Sequence, residues 1–86
     1  MATIHKYHIT SETTVEMPMG AQVLTVQTQH GEPCIWALVD PAAQSETRQN
    51  VAFGTGHPVP DDVALAYIGT FQIESGSLVF HVFERK

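Results

Sequence analysis

Positive charge is scarce in this sequence. Lys6, Arg48, Arg85 and Lys86 are the only lysines and arginines, against nine acidic residues, for a formal net charge of −5 with histidine neutral. A nucleic-acid backbone is bound by displacing its counterions with a cationic surface, so polymeric DNA or RNA is not expected as a partner. Cysteine is scarcer still. Cys34 stands alone, which excludes an internal disulfide framework and fits a reducing, cytosolic setting. It reads as a small buried hydrophobe. No run of about 18 apolar residues occurs, so no membrane-spanning helix is expected. Met1 to Lys6 lacks the apolar stretch of a signal peptide.

Charge of either sign is thin at 15%, where an average soluble domain carries about 25%. The chain has 86 residues, 43% of them hydrophobic, so it forms one domain. A chain of this size buries only about 60–65% of its unfolded surface. A small domain short of charge must place apolar surface somewhere, and a second copy is the usual place. A homo-oligomer is expected.

What the chain has is β pattern. Apolar residues recur at period two, or in short β-branched runs bounded by turn residues. Six strands are expected: Ile4 to Thr10, Ala21 to Gln29, Cys34 to Asp40, Thr47 to Gly54, Tyr67 to Glu74 and Leu78 to Glu84. Met17-Pro18-Met19-Gly20 reads as a turn, and His30-Gly31-Glu32-Pro33 as a hairpin connection. Cys34 to Asp40 is the most continuously apolar run, which predicts a central strand covered on both faces. Asp61 or Asp62 is placed to cap a short helical turn over 61–66. In the sixth segment Tyr67, Gly69, Phe71 and Ile73 share one face by alternation. In the last, Val79, His81 and Phe83 lie opposite an already apolar face, which makes them a candidate subunit interface. The fold class is mainly β: a small antiparallel sheet, sandwich or partly open barrel.

Familiar catalytic patterns are missing, including a nucleophile elbow, a P-loop, a zinc-protease helix, a paired-cysteine motif and a dinucleotide fingerprint. No enzymatic activity and no cofactor are expected. His5 and His8 fall on opposite faces of a strand and make a poor ligand pair. A Cys34–histidine nucleophilic pair is open on composition alone, and His81 reads as a hydrogen-bonded core or interface histidine.

The segment Gly54-Thr55-Gly56-His57-Pro58 admits two readings. Its glycines let a backbone approach a ligand, with consecutive amides forming an anion nest, Thr55 adding a hydroxyl and His57 a donor or ring face. Alternatively it is a turn that needs glycine torsions. Arg48, in the strand leading in, is an internal cation for a phosphate, and Lys6 is the other. Trp36, Tyr7 and Tyr67 are each either core or a stacking platform for a planar ligand. Together Arg48, Lys6, the Gly54–His57 loop, Trp36 and Tyr7 supply what a small anionic planar ligand requires.

Four blocks carry a resemblance. They are Glu32 to Pro41 (EPCIWALVDP), Gly54 to Asp62 (GTGHPVPDD), Tyr67 to Gln72 (YIGTFQ) and Leu78 to Glu84 (LVFHVFE), with Ile4 to Tyr7 and Val15 to Pro18 in keeping. Together they resemble a widespread group of small phage and prophage proteins labelled as a domain of unknown function. That group is similar to the oligomeric phage anti-CBASS sponges, which sequester cyclic-dinucleotide immune signals without cleaving them. The resemblance implies a tetramer with ligand sites between subunits, 3′3′-cGAMP or a relative as ligand, and residence in the cytoplasm of an infected bacterium. The alternative from another class is an interaction module that docks a host or viral protein through an apolar sheet face.

Overall fold

The computed structural model describes residues 1–86. Seven strands run β1 (Thr3–His8), β2 (Glu12–Pro18), β3 (Gln22–Gln29), β4 (Glu32–Val39), β5 (Ser45–Gly54), β6 (Leu65–Ile73) and β7 (Leu78–Arg85). They form two antiparallel sheets of order β1-β4-β3 and β2-β5-β7-β6. The mainly β, partly open architecture expected from the alternating pattern is the one observed.

Local chemistry sets the hairpins. His30 and Gly31 have φ of 52° and 80° and join Gln29 to its partner Glu32. Two consecutive positive φ values mark the two-residue turn whose twist matches that of the flanking strands. A seventh strand, β2, stands where the sequence suggests only a turn. Thr13, Val15 and Met17 face the interior while Glu12, Thr14 and Glu16 face solvent. The turn follows it, with the Ala21 N–H donating to the Pro18 carbonyl at 3.1 Å. The helical turn is also displaced. It lies at Glu74–Gly76 in the β6–β7 hairpin. Residues 61–64 are irregular, and the chain from Leu65 is held extended by the ladder that begins opposite Arg85.

A bulge corrects the alternation of β6. The register shifts between Tyr67 and Gly69, so Ile68 packs on the core with Phe71 and Ile73. Tyr67 is moved to the solvent face with Thr70, because an inserted residue reverses the pleat upstream of it. The core between the sheets holds Ile9, Met17, Ala21, Val26, Ile35, Ala37, Val39, Phe71 and Val82. Gly69 is where the two sheets touch on one side. A Cβ there would lie 2.6 Å from Val26 Cγ1.

The opposite side of the sandwich stays open. β1 and β2 each pair on one edge only, and the chain crosses between them at Ile9 to Ser11. The Ile9 N–H donates to Pro33 in one sheet, and Ser11 accepts from the Ala52 N–H in the other. β4, expected to be covered twice, is covered once. Ile35, Ala37 and Val39 are buried, but Trp36 is half-buried and Leu38 exposed on the outer face. Only 12 of 86 residues are buried, and the chain exposes 5498 Å², where a monomer of its mass ordinarily exposes about 5,000 Å². Asn50 is an exception of another kind: its carboxamide is buried with no hydrogen-bond partner.

Candidate functional site

Two polar clusters lie on the four-stranded sheet, on opposite faces. The first is centred on Arg48, which faces inward beside Val15. Its Nε and Nη2 donate to the two carboxylate oxygens of Glu84, the latter at 2.9 Å. Nη1 donates to the Ala21 carbonyl at 3.0 Å and to Glu46 Oε2 at 3.4 Å. Glu46 Oε2 also accepts from the Gly20 N–H at 3.2 Å. The hydrogen bond to Glu84 is the main cause that raises the Arg48 pKa, with the charges of Glu84 and Glu46 adding to it and partial burial opposing. A bidentate guanidinium–carboxylate pair is geometrically demanding and strong. Arg48 therefore ties the β2–β3 turn to β5 and β7, and its charge is already matched by two carboxylates.

The second cluster lies on the outer face. His81 on β7 is opposite Phe53 on β5 and Thr70 on β6. Its Nε2 is 2.8 Å from Thr55 Oγ1, its Nδ1 is 3.0 Å from Thr70 Oγ1, and Thr70 Oγ1 is 2.6 Å from the Tyr67 hydroxyl. The Thr55 hydroxyl also lies 3.5 Å from the Val79 carbonyl. Both ring nitrogens of His81 are engaged, and the ring tautomer sets which hydroxyl donates along the chain. The exposed terminus of the chain is the Tyr67 hydroxyl.

An aromatic row runs beside it. Phe83 meets Tyr67 at 5.4 Å and 61°, and Phe53 at 5.9 Å and 65°, the edge-to-face geometry that aromatic quadrupoles favour. Tyr67 is 61% exposed. Arg85, exposed, follows Phe83 by two residues, about 7 Å along the strand and on the same face. It borders a recess of about 560 Å³ where Arg48, Arg85 and Lys86 meet Glu46 and Glu84.

Of the residues singled out in the sequence, Lys6 and Trp36 are neighbours, but neither meets Arg48 or the Gly54–His57 loop within one protomer. Arg48 and Gly54 are six positions apart on β5, or about 20 Å, and Arg48 faces the interior. Lys6 and Trp36 are cross-strand neighbours on the outer face of the other sheet, with Lys6 Nζ donating to Gln29 at 2.7 Å. Tyr7 packs against the core. The Gly54–His57 segment is a turn whose amides are largely occupied. The Thr55 N–H donates to the Val79 carbonyl and the His57 N–H to Gly54. Gly56 supplies a φ of 86°, and a Cβ at Gly54 would sit 2.8 Å from the His57 ring. Thr55 faces His81, and His57 lines a recess of about 240 Å³ with Gly54, Leu78 and Val79.

Cys34 Sγ lies 3.6 Å from His8 Nδ1, and the same nitrogen is 3.7 Å from Glu32. One nitrogen facing both groups cannot relay a proton between them, and the thiol is buried. The missed residues are Thr70 and Phe53, with Phe83 and His81 in roles beyond packing, while Tyr67, weighed as core or platform, lies exposed. The signal for them was the cross-strand register, which the bulge at Ile68 conceals.

Fold and site together define a small two-sheet antiparallel protein whose polar side-chain chain and aromatic row share one exposed sheet face. The chain belongs to a family described as a domain of unknown function (DUF7352), whose model matches residues 1–86. No curated protein and no solved structure matches it.

Proposed function

We propose that this chain is a non-enzymatic sponge, a homo-oligomeric phage protein that sequesters a cyclic-dinucleotide immune signal such as 3′3′-cGAMP in the cytoplasm of the infected bacterium. The observation that carries the reading is the outer face of the four-stranded sheet, where Tyr67, Phe83 and Phe53 lie beside the Thr55–His81–Thr70–Tyr67 chain. A planar base stacks on exposed aromatic rings. The Tyr67 hydroxyl, exposed at the end of that chain, suits the hydrogen-bonding edge of a purine. Arg85 and Lys86 have no carboxylate partner in the chain and suit a phosphate. Arg48 supports the reading only indirectly, by holding Glu84 away from that anion.

Calorimetric titration against a panel of cyclic di- and trinucleotides tests it. The expected result is one ligand bound more tightly than about 10 µM, roughly −7 kcal/mol, and recovered intact after denaturation. Absence of such binding across the panel overturns the reading.

A second reading is favoured by a different surface. Ile4 and Leu38 are cross-strand neighbours on the outer face of the three-stranded sheet, and both are exposed, as is Leu24. Such a patch suits a protein partner. On that reading, Ile4→Ser with Leu38→Ser abolishes capture of one defined partner, and nucleotides have no effect.

A further inference from the structure

The two edge strands on the open side of the sandwich are unlike in charge. β1 carries Lys6, His5 and His8 and no acidic residue, whereas β2 carries Glu12 and Glu16 and no basic one. None of Lys6, Glu12 and Glu16 has an ion-pair partner in the chain. Lys6 meets the Gln29 amide, and Glu16 accepts from the Thr47 hydroxyl. All three project from the outer faces of their sheets, Lys6 beside Trp36 and the glutamates beside Val51 and Thr47. Both strands leave one edge of backbone donors and acceptors unpaired. Edges of this length are ordinarily paired, covered or blunted.

We infer that β1 of one copy pairs with β2 of a second copy, and β2 with the partner's β1, closing the open side of both sandwiches in a two-fold dimer. One contact repeated twice is what an isologous interface requires. Within one copy the two sheet interiors face each other across the core. A two-fold axis running along the strands therefore brings the four-stranded sheet of one copy level with the three-stranded sheet of the other and keeps their core faces on one side. Lys6 then stands on the same surface as the Glu12 and Glu16 of its partner. The occupant is a second copy, since this chain supplies both halves of the complementary pair. The interface is distinct from the aromatic face of β5, β6 and β7, so the inference stands apart from the nucleotide reading.

Native mass spectrometry and light scattering over a concentration series, at low and high salt, test it. The expected result is a dimer that weakens as salt rises. Lys6→Glu alone, or Glu12→Lys with Glu16→Lys, should weaken it about tenfold, since opposed like charges are unfavourable and the two-fold axis doubles the effect. The triple variant carrying all three reversals should restore it. Melting curves of the variants, all at exposed positions, report whether each is folded. A strictly monomeric chain overturns the inference. So does a dimer indifferent to the reversals or not restored by the triple variant.

Discussion

Arg48 and His81 sit on adjacent strands of one sheet, each in a network of four or five polar groups, yet on opposite faces. Arg48 faces inward, is only 16% exposed in its side chain, and spends its donors on Glu84, Glu46 and Ala21. His81 faces outward, and its chain ends on a largely exposed tyrosine. The comparison shows that a lone internal arginine in a short sequence is not thereby a ligand cation. In a small domain a charge turned inward serves the fold, and the groups left for recognition are those that the pleat turns out.

Removing Arg48 should have the largest effect. Arg48→Ala strands the Glu84 carboxylate, which is only 17% exposed, and breaking such a pair costs about 3–5 kcal/mol. Thermal denaturation should show a strongly lowered Tm. A stable variant that loses only nucleotide affinity would reverse the roles assigned to the two clusters. Next is Gly69→Ala, whose Cβ meets Val26 Cγ1 at 2.6 Å. Overpacking of this kind costs about 1–3 kcal/mol, and Val26→Ala in the same chain should recover part of it.

Asn50→Leu should go the other way. Its buried carboxamide has no partner, and an apolar replacement of similar size removes a desolvation cost of about 1–3 kcal/mol, so denaturant titration should show a higher midpoint. The smallest effect on stability belongs to the outer cluster. Tyr67→Phe should shift stability by no more than about 0.5 kcal/mol. Calorimetry should nonetheless show nucleotide affinity reduced about fivefold to tenfold, the worth of one hydrogen bond near 1 kcal/mol.

Six of the seven strands were legible in the sequence, most because each buries one face against the other sheet and so alternates, and β4 through its short continuous apolar run. β2 obeys the same rule, with Thr13, Val15 and Met17 inward. Its signal is masked by Thr14 and the glutamates on the solvent face and by the Pro18 turn cue at its end. The site was less legible. Thr55 and His57 were marked by their glycines, but no local pattern states that Thr70 faces His81. That depends on cross-strand register, and a single inserted residue at Ile68 reverses which side chains share a face with Tyr67. Lys6, Trp36, Tyr7 and Arg48 carried suitable chemistry, but Lys6 and Trp36 share an outer face while Tyr7 and Arg48 turn inward on different sheets, a separation set by pleat and topology.

The His30–Gly31 turn has a consequence for how the chain acquires its shape. β3 and β4 meet across two residues, and β6 and β7 across a short loop, so both hairpins close with little loss of chain entropy. β1 must find β4, and β2 must find β5, across tens of residues, and pairings of that span are slow. Each hairpin therefore waits with one strand open, β4 for β1 and β7 for β5, to whichever strand arrives first. At high protein concentration during synthesis, that strand can come from another molecule.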